Sequence, residues 1–173
     1  MMAVLVETMD ELNWRKGRNF AYVYSANGLS ENDIIFLCLN VGASDIALTK
    51  IEFSGSSSLL TWKWHIDSQI DNQTGTLVNE IPMNRMVSSS SGVKLLVNPD
   101  ITDIGAQLIS SLGIDVIGTE ASSGMIRLNE TILSKNLTVL KNTTQIIEIK
   151  NRHVGSANLE VTISLFTEPN QHG

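Results

Sequence analysis

Leu59-Leu60-Thr61-Trp62-Lys63-Trp64-His65-Ile66 sets Leu60, Trp62, Trp64 and Ile66 against Thr61, Lys63 and His65 at alternate positions. Side chains of an extended backbone point to opposite faces in turn, so this alternation predicts a half-buried strand. The same period of two governs the C-terminal third. Ala157 to Phe166 (ANLEVTISLF) puts Leu159, Val161, Ile163 and Leu165 on one face and Glu160, Thr162 and Ser164 on the other. Thr144 to Lys150 (TQIIEIK) reads as the strand before it, with Asn151 to Ser156 as the turn between them. Leu137, Val139 and Lys141 lead into a turn at Asn142-Thr143.

Upstream, Asp33 to Asn40 (DIIFLCLN) is a continuous apolar run, which predicts a strand buried on both faces. Phe20, Tyr22 and Tyr24 alternate with Ala21, Val23 and Ser25. Ala47, Thr49, Ile51 and Phe53 alternate with Leu48, Lys50 and Glu52. The break at Ser54 to Ser58 predicts a hairpin joining this strand to the Trp strand. The middle is less regular. Asp71 to Gly75 is a turn, Thr76 to Met86 holds a short strand and Pro82, and Ser88 to Gly92 is a Ser-rich flexible loop before a strand at Val93 to Val97. Ile101, Ile104, Leu108 and Leu112 fit a helix capped by Asp100, but Gly105 and Gly113, followed by Ile114 and Val116, favour two short strands, the reading adopted here. Met125 to Leu128 is read as one more strand. Many short strands separated by Gly/Ser/Asn turns predict an all-β, two-sheet antiparallel β-sandwich.

The chain has 173 residues, enough for one domain with a substantial core. It divides into an N-terminal arm or short helix at 1–18, a sandwich domain at 19–168 and a tail at 169–173. A charged fraction of 17% beside 42% apolar residues argues against a disordered chain or a coiled coil. The net charge of −6 disfavours nucleic acid as a partner. No apolar stretch is long enough for a membrane span, and Met1 to Val6 is too short for a secretory leader. The sequons at Asn72, Asn129, Asn136 and Asn142 are therefore read as chance in an Asn/Thr-rich chain.

Residues able to carry chemistry are scattered. Cys38, the single cysteine, lies in the most apolar strand and reads as a buried small hydrophobe. His65, His153 and His172 never form a metal-ligand pair. There is no G-x-S-x-G elbow, no Gly-rich phosphate loop and no calcium loop. Asp67 and Asp71 flank one loop and Asp100 and Asp103 another, the one arrangement that would suit a hydrolase. No enzyme is expected, and no catalytic, cofactor or metal residue is assigned. Trp62 and Trp64 share a face, either as core or, if exposed, as a sugar-stacking platform. In the arm, Leu5, Met9 and Leu12 have partial helical spacing, and Trp14 adjoins the basic residues Arg15, Lys16 and Arg18. These seven are the candidate contacts with a partner or a neighbouring copy; Arg15, Lys16 and Arg18 could meet an acidic protein surface, with a solvated arm as the alternative.

The segment Asn142 to Asn158 (NTTQIIEIKNRHVGSAN), followed by an alternating strand ending at Glu168, resembles small structural proteins of tailed bacteriophages. In that group a K-N-T-x-Y-x-I-x-x-x-N-R-S-G-S-A segment joins the last two strands. Pro82-Met83-Asn84-Arg85 is similar to a P-x-N-R-N-R element of the same group, with Met86 and Val87 where the second Asn-Arg would stand. The likeness covers roughly Leu59 to Glu168. It implies a jelly-roll-like β-sandwich without catalytic residues or cofactor. It further implies a decoration or cement protein on the capsid exterior of a virion, a homotrimer whose partner is the major capsid protein. The alternatives are a carbohydrate-binding head fibre or receptor-binding module, and a tail or neck connector. The motif also has a local physical sense: Asn142 and Asn151 suit turns whose side chains bond the backbone, and Gly155 is permissive there.

Overall fold

The computed structural model describes residues 16–55, 60–110 and 137–167. They form thirteen strands: β1 (Asn19–Leu29), β2 (Ile34–Asn40), β3 (Ile46–Gly55), β4 (Leu60–Ile66), β5 (Gln69–Ile70), β6 (Thr76–Val78), β7 (Ile81–Pro82), β8 (Lys94–Val97), β9 (Ile101–Asp103), β10 (Ala106–Ser110), β11 (Leu137–Val139), β12 (Thr144–Asn151) and β13 (Ala157–Thr167). One antiparallel sheet has the order β11-β3-β13-β1-β7, the other β10-β4-β12-β2-β8-β6. The two pack face to face as a β-sandwich.

The pairing has a simple logic. β1 pairs with β13, β2 with β12, β3 with β11 and β4 with β10. The first half of the chain thus pairs with the last half in reverse order, as in one long two-stranded ribbon. Rolling that ribbon brings β13 beside β3 and β12 beside β4, which closes both sheets. This is the jelly-roll arrangement of eight strands in two sheets. The segment between β4 and β10 supplies the remaining strands: β6 and β8 extend the six-stranded sheet, β7 caps the edge of β1, and β5 and β9 pair as a separate ribbon.

The predicted hairpin between the Ala47–Phe53 and Trp strands does not form. β3 and β4 belong to opposite sheets. A Ser/Gly break permits a turn, but the break alone does not choose between pairing and crossing. Phe53 and Trp62 instead stack across the interior, ring centroids 6.2 Å apart. Alternation in β3 is also interrupted. A register shift between Leu48 and Lys50, opposite Leu165/Ser164, moves the inward face from Ile46 and Leu48 to Ile51 and Phe53.

Elsewhere the alternation is kept. Leu159, Val161, Ile163 and Leu165 of β13 face inward with Phe20 and Tyr22 of β1 and Trp62 and Trp64 of β4. Burying each such side chain contributes about 1.5–3 kcal/mol. β2 is covered on both faces, as its apolar run predicts. Ile35, Leu37 and Leu39 face the main core. Cys38 joins Leu96 and Ile146 in a second cluster on the outer face, roofed by Ile70, Ile101 and Ile104 around the β5–β9 ribbon. Within the described residues the stretch after Pro99 is two strands, β9 and β10, and not a helix; Leu112, Gly113, Ile114 and Val116 lie outside them. The expected strand at Met125 to Leu128 lies outside the described residues.

Candidate functional site

The resemblance segment forms the corner between β12 and β13, and Asn151 is its centre. Asn151 is fully buried. Its Nδ2 donates to the carbonyls of Leu29 (2.9 Å), Ser30 (3.2 Å) and Gly155 (3.2 Å), two protons shared among three acceptors. Its Oδ1 accepts from His153 N at 2.9 Å. Its backbone accepts from Asn32 N and donates to the Asp33 carbonyl. One side chain therefore ties the β1–β2 corner to the β12–β13 corner. In this corner Gly155 adopts φ 122°; at the other end of β12, Asn142 adopts φ 57°, a left-handed conformation that Asn tolerates.

A second polar cluster pins the segment between β6 and β8. The Tyr22 hydroxyl lies 2.8 Å from Glu80 Oε2, 3.0 Å from Ser91 Oγ and 2.9 Å from the Val93 carbonyl, and gives its single proton to one acceptor at a time. Ser91 donates its backbone N–H and its hydroxyl to the Glu80 carboxylate. Burial raises the Tyr22 pKa; the Ser91 bond opposes this and Glu80 adds to it. Ser91 is buried and Ser89 donates to the Gly17 carbonyl, so the Ser-rich loop is tied at two points. No single stretch of sequence signals this cluster, because its three side chains come from separate segments.

A third cluster lies on the outer face of the six-stranded sheet. Glu148 Oε1 is 3.5 Å from Lys63 Nζ and Glu148 Oε2 is 3.2 Å from His65 Nε2. His65 lies on the outer face, as its position in β4 predicts, yet it is buried, and its Nδ1 has no partner among the described residues.

The candidate residues are not gathered into one site. Trp62 and Trp64 are core residues, so the stacking platform is excluded; Trp64 Nε1 donates to Gln145 Oε1 at 2.7 Å inside the sandwich. Cys38 is buried, and burial pushes its thiol up to about 12. Asp67, Asp71, Asp100 and Asp103 are exposed around the β5–β9 ribbon. Asp71 Oδ1 accepts from Gln73 N and Asp103 Oδ1 from Gly105 N, both 2.9 Å, so two of the four shape their own turns. Among the described residues no three His, Cys, Asp or Glu side chains are grouped to hold a metal ion. His172, Leu5, Met9, Leu12, Trp14 and Arg15 lie outside the described residues. Lys16 is exposed; Arg18 is half-buried, and its carbonyl accepts from Thr167 N at 3.1 Å.

No family model, curated protein or solved structure matches the chain. The reading of function therefore rests on the residues themselves.

The element Pro82-Met83-Asn84-Arg85 was singled out only through the resemblance. In the fold it is a fixed turn. Met83 N donates to the Asn19 carbonyl at 2.9 Å, and the buried Asn84 accepts from Met86 N at 3.0 Å. The turn presents Met83, Arg85 and Met86 to solvent. The sequence cue for such a surface is two methionines and an arginine within four positions next to a proline.

Proposed function

We propose that this chain is a non-enzymatic structural protein of a tailed-phage virion, a decoration or cement protein on the outer face of the capsid shell. One observation carries the reading. The segment that resembles phage structural proteins, Asn142 to Asn158, is the one that closes the roll, and its Asn151 ties two corners together. The shared residues are thus residues the architecture requires. Two further features support it. Jelly rolls are an architecture that capsid proteins use, although fold alone does not imply function. Among the described residues Cys38 and His65 are buried, and Asp71 and Asp103 are engaged in their own turns.

The mechanism on this reading is mechanical. Homotrimers sit at three-fold or quasi-three-fold positions and bridge neighbouring copies of the major capsid protein. Each bridge adds buried contact that must break before the shell opens. Cosedimentation with DNA-free shells of the encoding phage tests the proposal. Saturable binding and a higher shell melting temperature are expected. A chain that stays in the supernatant at micromolar concentration overturns it. Saturation at six or twelve copies at one vertex would place the protein at the neck.

A further inference from the structure

Nine large apolar side chains are exposed among the described residues, and four of them, Val23, Ile81, Met83 and Met86, lie at one edge of the five-stranded sheet. Ile81 pairs with Ala21 of β1, and Val23 is the next residue on that face. Met86 is 93% exposed on a turn held rigid by Asn84. Val87, at the end of the turn, packs so closely on Gly17 that a Cβ there would come within 2.7 Å of the Val87 Cβ. A turn fixed in advance spares the backbone ordering cost of contact, and exposed apolar side chains on it suit a docking surface.

The same corner is cationic. Arg85 lies within the turn, and Lys16 and Arg18 lie on the chain entering β1 beside it. None of the three has an ion pair among the described residues. Glu80, the carboxylate nearest in sequence to the turn, is occupied by Tyr22 and Ser91.

The opposite charge is collected elsewhere. Asp67, Asp71, Asp100 and Asp103 are exposed around the β5–β9 ribbon and likewise have no ion pair among the described residues. Beside them is Leu77, 56% exposed, whose strand partner Leu96 lies under the ribbon. The ribbon covers the outer face of the six-stranded sheet, whereas the Met83–Met86 turn lies at the β7 edge of the other sheet. The two surfaces are opposite in charge and each exposes apolar side chains; one covers a sheet face and the other sits at the edge of the opposite sheet.

We propose that a second copy of this chain seats its aspartate ribbon on the Met83–Met86 corner of the first. The contact is head-to-tail: every copy offers one surface and receives on the other. Such a contact repeats until a ring closes. The pairing stands on the charges and exposures above; closure at three rests on the trimeric reading of the function.

Sedimentation velocity of the full chain over a range of salt concentrations tests it. An assembled species is expected at low salt, dissociating toward the 18.9 kDa monomer as salt screens the pairing. Met86→Ser with Arg85→Glu, on one surface, and Asp100→Lys, on the other, should each weaken assembly about tenfold or more. All three positions are exposed, and Lys141→Glu, outside both surfaces, should change nothing. A wild-type monomer at every concentration overturns the inference, as does an assembly that both surface variants leave intact. Shell binding by a monomeric chain would overturn this inference and leave the decoration reading standing.

Discussion

Asn151 donates to the carbonyl of Leu29, 122 residues earlier in the chain, at 2.9 Å. The bond joins the end of β12 to the end of β1, two strands in different sheets. It is made where both sheets turn over, and the Asn151 amide that makes it is fully buried. Asn151→Asp keeps the size but has no N–H to give, so three carbonyls lose their donor. A loss of about 2–4 kcal/mol is expected, measured as a lower urea midpoint with an unchanged slope. A midpoint within error of wild type would show that the corner holds without the amide.

The Trp64–Gln145 bond makes a second test. Trp64→Phe removes the indole N–H and strands Gln145 Oε1 inside the core. The expected cost is about 1–3 kcal/mol. Because Trp62 and Trp64 are buried, polysaccharide added to the Trp14→Phe protein should leave its fluorescence unchanged. Quenching there would mean that the sandwich opens to a ligand.

Alkaline pH should destabilise the fold through Cys38. Its thiol has an ordinary value of 9.0 and is raised to about 12 by burial. The unfolded chain therefore ionises first, and stability present below pH 9 is lost as pH rises toward 12. The loss amounts to about 2 kcal/mol by pH 10.5. Tyr22, raised in the same direction, adds to it. Urea midpoints from pH 8 to 10.5 should fall less steeply in Cys38→Ala than in wild type. Parallel curves would remove Cys38 as the cause. At pH 8 a thiol reagent should react with the unfolded chain and leave the native one intact.

Two glycines with similar backbones should respond differently. Gly105 has φ 77°, and a Cβ there would overlap the Ile66 carbonyl and crowd the Ser68 backbone. Gly28 has φ 70° with nothing within 4 Å of the added atom. Gly28→Ala should cost only the left-handed backbone term, about 1–2 kcal/mol. Gly105→Ala must also move the β9–β10 corner, so a larger loss of thermal stability is expected. Equal losses would show that the corner yields freely.

Most of the fold was legible in the sequence. The strands around Trp62, in Asp33 to Asn40 and from Thr144 onward were readable because apolar side chains recur every second residue there. The double burial of β2 followed from its unbroken apolar run. The candidate site was much less legible. The Tyr22–Glu80–Ser91 cluster unites residues from three segments, none of which has a pattern of its own. The Met83–Met86 surface was visible only as a turn element, since exposure depends on what fails to cover it.

The sequence by itself determined which stretches are extended and which face of each is apolar. Alternation is a local property, set by backbone geometry and readable over six or seven residues. Only the tertiary structure decided which strand lies beside which. It sent β3 and β4 into opposite sheets where a hairpin looked natural, and paired the first strand with the last. It also switched the inward face of β3 at a bulge, and roofed Cys38 with a ribbon from another part of the chain. Those choices depend on the free energy of burying whole faces together, a sum over segments distant in the chain.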